Sequence, residues 1–157
     1  NSPPTIIAMT KATDLLRFYE DLDLPTYHEL AQRLASINQN DIVGELTRQA
    51  AVYASYAGLL EYAKKEVSFL QIELNQCVTS ASIRVRKEYE DKGMKATVAV
   101  VETFVSSDES CTEMTRELAI LTEKEGLLKG LLHSLSQRKD CLIQLSSNQR
   151  NEMQMHS

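Results

Sequence analysis

The chain is poor in the residues that interrupt helices. Its 157 residues include no tryptophan, five glycines and three prolines, and only 6% are aromatic. Glycine and proline are the least favourable residues in a helix interior. Their scarcity argues against strands joined by turns, and the 43% of hydrophobic residues allows a packed core. The composition therefore predicts an all-α protein.

Signals for catalysis and for metal binding are also lacking. The three histidines, His28, His133 and His156, are far apart and lie in no metal-binding motif. The sequence contains neither a glycine-rich phosphate loop nor a nucleophile elbow. We therefore expect no catalytic residue, no metal and no cofactor, and we predict that the protein is not an enzyme.

The three cysteines, Cys77, Cys111 and Cys141, are widely separated, and no two have the spacing of metal ligands. Each falls in an apolar helical pattern, so each is predicted to be a small core residue. An odd number of cysteines argues against a disulfide framework and favours a reducing compartment. No apolar run approaches the ~20 residues of a membrane span. These features predict a cytoplasmic protein.

The first part of the chain predicts two short helices. Apolar residues recur at helical spacing over Lys11–Leu22, and Pro25 breaks this pattern. Thr26, followed three residues later by Glu29, is the predicted N-cap of a second helix that runs to about Ile37. The polar stretch that follows predicts a turn that also caps the next helix: Asn38, Gln39, Asn40 and Asp41.

A long helix is predicted from Ile42 to about Asp91, a stretch with one glycine and no proline. Two heptad series run along it: Leu46, Tyr53, Leu60, Val67, Leu74 and Ala81, and Ile42, Gln49, Tyr56, Ala63, Leu70 and Cys77. Gln49 is the one polar member. A sustained heptad pattern predicts a helix on the order of 70 Å long that packs against another helix along one stripe. Gly93 is the predicted C-terminal cap.

A second heptad pattern runs from Asp108 to about Ser147, after a short element at Thr97–Val105. The spacing of large residues in that element favours a helix, but its β-branched residues leave a strand open. Ser106, Ser107 and Asp108 offer the next N-cap. The heptad series are Met114, Leu121, Leu128, Leu135 and Leu142, and Leu118, Glu125, Leu132 and Lys139.

Two long heptad patterns joined by a short connector predict a long antiparallel coiled-coil-like helical hairpin with short N-terminal helices. Leu127, Leu131, Ile143 and Leu145 broaden the second stripe, so a second copy or the N-terminal helices should cover it, and we expect a homo-oligomer. The predicted organisation is a flexible leader (1–10), short N-terminal helices (11–40), the long hairpin (41–150) and a tail (151–157).

Charge is segregated along the chain, although the net charge is −5. Cations gather at the end of the first long helix, with Tyr89 among them: Arg84, Arg86, Lys87, Lys92 and Lys95. Lys64 and Lys65 precede them on the same helix. Cations beside an aromatic side chain suit single-stranded nucleic acid, because they can hold phosphates while the ring stacks a base. A solvated helix end, balanced by neighbouring acidic residues, is the alternative.

The pattern over roughly Gln49–Met153 resembles the UvsY-like phage recombination mediators. The resemblance lies in Tyr53 and Tyr56, the stretches 61–66 and 84–89, Gly93, the step 95–97, Asp108 and the stretch 136–140. It implies a ring-forming helical oligomer that binds single-stranded DNA without sequence preference and helps a recombinase displace the single-strand-binding protein. By position, the resemblance implies that six residues face the DNA: Lys64, Lys65, Arg84, Arg86, Lys87 and Tyr89. The basic cluster adds Lys92 and Lys95 to the expected DNA-binding residues.

A second function fits the same sequence. A helical hairpin can serve as a structural adaptor, scaffold or assembly chaperone that works through protein–protein contacts alone.

Overall fold

The computed structural model of the chain describes residues 11–156 and contains only helices in that range. They are α1 (Ala12–Asp21), α2 (Leu24–Leu34), α3 (Ile42–Asp91), α4 (Val98–Ser107) and α5 (Glu109–Met155). The prediction of an all-α protein with a long pair of helices is confirmed. The predicted leader, residues 1–10, lies outside the described residues. None of the described helices is both long enough and apolar enough to cross a membrane.

The start of α2 differs from the prediction. Asp23, not Thr26, is the N-cap, and its carboxylate accepts a hydrogen bond from the Thr26 backbone N–H at 2.9 Å. Pro25 lies inside the first turn, where its missing N–H costs nothing because the first N–H groups of a helix have no partner within the helix. The helix ends at Leu34, earlier than the predicted Ile37.

The bounds of α3 are those predicted, and both ends are capped. The Asp41 carboxylate accepts a hydrogen bond from the Gly44 N–H at 3.1 Å, which confirms the predicted polar cap. At the other end Gly93 has a φ of 70°, and its N–H donates to the Glu90 carbonyl at 2.9 Å. The Met94 N–H donates to the Tyr89 carbonyl, also at 2.9 Å. This pair of bonds is a Schellman motif, which confirms the predicted glycine cap.

The connector is a helix rather than a strand. Thr97 caps α4 by accepting from the Val100 N–H at 3.2 Å, and Asp108 caps α5 by accepting from the Cys111 N–H at 2.9 Å. The β-branched residues of α4 are part of a helix, and one of them, Val101, is buried in the core. Helix α5 continues to Met155, past the predicted end near Ser147, so most of the predicted tail is helical.

The chain divides into two compact units. The first comprises residues 11–62 and 124–156 of the described chain, and the second comprises Ala63–Glu123. The boundaries fall inside α3 and α5, and at each of them at least one heptad series continues with apolar residues. The sequence pattern therefore does not indicate this division.

The N-terminal helices complete the core of the first unit. The rings of Phe18 and Tyr56 meet edge to face with centroids 5.6 Å apart, and those of Tyr19 and Tyr62 do so at 5.3 Å. The Lys124 ammonium donates to the carbonyls at the end of α1. The leucines of α5 in this unit are completely buried: Leu128, Leu131, Leu135 and Leu142. Of the residues that broaden the α5 stripe, Leu131 is buried, Leu127 and Leu145 are half-buried, and Ile143 is 51% exposed, so this chain by itself covers the stripe only in part.

Gln49, the polar member of the α3 heptads, is buried in the first unit. Its amide donates to the Leu135 carbonyl at 2.8 Å and accepts from the Arg138 guanidinium at 2.8 Å. Arg138 also forms an ion pair with Glu45, and burial lowers the pKa of Arg138 from its ordinary value. Tyr53, which belongs to the other heptad series, is 42% exposed, so that series is not continuously buried.

The core of the second unit is made of smaller side chains. Its buried apolar residues are Ala63, Leu70, Ala81, Val85, Val101 and Cys111. The α5 heptad residues of this unit, Met114, Leu118 and Leu121, are only half-buried. The heptad stripe of α5 is therefore buried less completely in the second unit than in the first.

Candidate functional site

All eight residues of the predicted nucleic-acid site belong to the second unit, but they do not converge. Lys64 and Lys65 lie about 30 Å along α3 from Arg84, at a rise of ~1.5 Å per residue. Lys64 is half-buried and Lys65 is exposed. The two lysines therefore form a separate part of the surface from the cluster at the end of the helix.

Arg84 has a structural partner. Its guanidinium donates to the Asp108 carboxylate at 2.9 Å and lies 5.9 Å from the centre of the Phe104 ring. The pKa of Asp108 is lowered, first by the hydrogen bond from the Cys111 N–H and then by the one from Arg84. Arg84 thus joins α3 to the N-terminus of α5, and its side chain is still 59% exposed to solvent.

The other four cations at the end of α3 are exposed: Arg86, Lys87, Lys92 and Lys95. None of them forms an ion pair with another described residue. Glu88, Glu90 and Asp91 are exposed among them. Since neighbouring helical positions point about 100° apart, Arg86 and Lys87 face different directions. The cluster is accessible, but it carries charges of both signs and does not form one continuous face.

Tyr89 is half-buried, and its carbonyl accepts the capping bond from Met94. A more accessible aromatic ring is that of Phe69, which is 57% exposed and was not among the predicted site residues. Phe69 belongs to neither heptad series of α3. A large apolar residue outside the buried pattern was the signal that could have identified it.

Phe69 is part of an exposed strip on α3. Ile72 and Ile83 are 53% and 59% exposed, and Lys65 and Lys87 are exposed as well. At 3.6 residues per turn, these five residues lie within roughly 60° of one another around the helix axis. We call them the outer face of α3. Glu73 and Glu90 border it, so the face combines large apolar side chains with charges of both signs.

A third feature of the second unit joins two distant parts of the sequence. Cys77 on α3 and Cys111 in the first turn of α5 have their sulfur atoms 2.9 Å apart. With a carboxylate oxygen of Asp108, these atoms all lie within 4.8 Å of one another. The sequence expectation of three core cysteines holds for Cys111, which is buried, but Cys77 is half-buried and Cys141 is exposed. Spacing along the chain gave no sign of this pair because its members lie on different helices.

The first unit has a surface groove of about 500 Å³, lined by Leu46, Gln49, Ala50, Tyr53, Ser136, Lys139 and Ile143. Gln49 is already engaged in the hydrogen bonds described above. These seven side chains are mainly apolar and include no carboxylate or imidazole that could serve as a general acid or base.

A scan against protein-family models finds no matching family, and searches of curated proteins and of solved structures find no match either.

Proposed function

We propose that the protein is a non-catalytic structural adaptor that associates with a second copy of itself, and that its protomer is a long antiparallel helical hairpin. The observation that carries this proposal is the outer face of α3. Exposing a large apolar side chain forfeits about 1.5–3 kcal/mol relative to burial. Three such residues on one helical face therefore favour an interface.

The charges beside these apolar residues favour a second copy as the partner. The outer face carries Lys65 and Lys87, and Glu73 and Glu90 lie at its border. A surface with both signs of charge is able to complement a copy of itself, since two-fold symmetry brings the same patch together from both subunits. A strongly acidic or basic partner would not match such a balanced face.

Sizing by light scattering over a range of protein concentrations tests this association. We expect the wild type to be larger than a monomer at micromolar concentration and Ile72→Glu to shift it towards the monomer. Ile120→Glu is the matched control, because Ile120 is similarly exposed, at 54%, but lies on α5. A wild type that stays monomeric, or an equal effect of both substitutions, would contradict the proposal.

A second candidate function is binding of single-stranded DNA without sequence preference. The observation that favours it is the set of four exposed cations at the end of α3, and the exposed Phe69 ring lies about 26 Å from Arg86 along the same helix. The cations suit phosphates, and an exposed aromatic ring stacks a base for about 1–3 kcal/mol. The resemblance to UvsY-like mediators suggests a setting for this activity, beside a recombinase and a single-strand-binding protein in the host cytoplasm.

Fluorescence polarisation with labelled oligo-dT and a mixed-sequence strand tests the second candidate at two salt concentrations. We expect similar affinity for both strands and weaker binding at higher salt, because phosphate contacts release counterions. Lys87→Ala should weaken binding and flatten the salt slope, whereas Arg116→Ala, the same charge change on α5, should have little effect. Absence of binding at low salt would exclude the DNA-binding function, and the adaptor function would then be the only candidate that remains.

A further inference from the structure

We propose that Cys77 and Cys111 form a redox modification site, in which the two thiols become a disulfide by exchange with a low-molecular-weight disulfide such as oxidised glutathione. Their sulfur atoms are 2.9 Å apart, and both residues belong to the second unit. This inference is independent of the adaptor and DNA-binding proposals.

The distance favours a bond between the sulfurs over a shared metal. Two thiolates on one tetrahedral zinc, each about 2.3 Å from the ion, stand about 3.8 Å apart. The two sulfurs here are closer than that. Moreover, both oxygens of Asp108 already have donors, since one accepts from the Cys111 N–H and the other from Arg84. The Arg84 cation beside this carboxylate opposes the addition of a second positive charge.

The different burial of the two cysteines sets the order of the reaction. Cys77 is half-buried and Cys111 is buried, so the exchange begins at Cys77. The Cys77 thiolate attacks one sulfur of oxidised glutathione, the glutathione S–S bond breaks, and one glutathione leaves as a thiolate that takes up a proton. Cys77 is then joined to the other glutathione in a mixed disulfide.

The second step closes the protein disulfide. The Cys111 thiol loses its proton and attacks the Cys77 sulfur, which releases the second glutathione as a thiol. In total, two protein thiols and one oxidised glutathione give one protein disulfide and two reduced glutathiones. Burial raises the pKa of Cys111 to about 12, with the neighbouring Cys77 as the next cause. We therefore expect the second step to be the slower one, because little Cys111 thiolate is present near neutral pH.

The disulfide would connect α3 to α5 and enclose α4 in the loop between them. In the chain-entropy account, a cross-link across a loop of this length restricts the unfolded chain. For a protein of this size, we expect the melting temperature to rise by roughly 5–15 °C on oxidation.

The test uses the full chain with Cys141→Ser, which removes the exposed third thiol, in buffer with a chelator and oxidised glutathione. We expect intact mass spectrometry to show the loss of two hydrogens per chain, and peptide mapping to link Cys77 with Cys111. With Cys111→Ser added, a single glutathione should stay attached to Cys77. With Cys77→Ser added instead, the buried Cys111 should remain largely unmodified.

Three results would overturn the inference. The first is a persistent glutathione adduct on Cys77 without closure to Cys111. The second is a disulfide between chains in place of the one within the chain. The third is binding of one equivalent of zinc by the reduced protein that depends on both cysteines, together with failure to form the disulfide in the chelator, which would make this a metal site.

Discussion

The buried Gln49 amide oxygen accepts a hydrogen bond from the Arg138 guanidinium at 2.8 Å, which links α3 to α5 inside the first unit. A polar residue in an otherwise apolar heptad series thus has a specific partner on the opposite helix. The network is not complete, because among the described residues the Arg138 Nε atom is buried without a hydrogen-bond partner. Loss of a further contact should therefore be costly.

We expect Gln49→Met to lower the free energy of unfolding by about 1–3 kcal/mol, because the buried guanidinium loses an acceptor. Urea denaturation followed by circular dichroism measures this change. Gln137→Met, at an exposed position of α5 in the same unit, is the control and should stay within about 0.5 kcal/mol. If the two side chains act together, adding Arg138→Met to Gln49→Met should cost less than the sum of the single effects.

Two glycines of α3 should respond differently to alanine. A Cβ atom at Gly44 would lie 2.2 Å from the Asp41 carboxylate, whereas one at Gly58 would meet nothing within 4 Å. Gly58→Ala should stabilise the protein by up to about 1 kcal/mol through helix propensity. Gly44→Ala should stabilise the protein less than Gly58→Ala does, by about 0.5–2 kcal/mol. The added Cβ atom displaces the Asp41 side chain that caps the helix. Equal stabilisation by both substitutions would show that the cap contributes little.

Low pH should remove the contribution of the Asp108 charge to the stability of the folded protein. The pKa of folded Asp108 is lowered from 3.8, so its stabilisation is fully present above that value and is lost as the pH falls through the folded pKa. Asp108→Asn keeps a capping side chain but removes the charge facing Arg84. We expect the wild type to exceed this variant in urea midpoint at pH 7 and the difference to shrink below about pH 4. A difference that stays constant down to pH 2.5 would exclude this role for the charge.

The stability of the C-terminal end of α3 should depend on the backbone conformation of Gly93. At a φ of 70°, a side chain with a Cβ atom costs about 1–2 kcal/mol, and asparagine tolerates this region better than alanine does. We therefore expect Gly93→Ala to lower the free energy of unfolding more than Gly93→Asn does. Thermal unfolding of both variants measures the order, and the opposite order would mean that the glycine cap is not the cause.

Much of the helical framework could be predicted because it depends on local physics. The bounds of α3 follow from a heptad pattern without proline, and Asp41 and Gly93 have the chemistry that caps require. The N-cap predicted for α2 was wrong because Asp23 and Thr26 are both able to cap a helix. Sequence alone does not show which of the two side chains accepts the hydrogen bond from a backbone N–H. Helix α5 extends past the last strong heptad position because nothing in residues 148–155 interrupts a helix.

The candidate site was less predictable, since it depends on which residues of different helices meet. Local sequence was enough to specify long helices, with apolar stripes to bury and cations near the end of the first. Three features depended on tertiary packing: Arg84 is held by Asp108, Phe69 stays exposed, and Cys77 meets Cys111. Helix formation follows from neighbours within a few turns, whereas these contacts require α3, α4 and α5 to pack in one particular register.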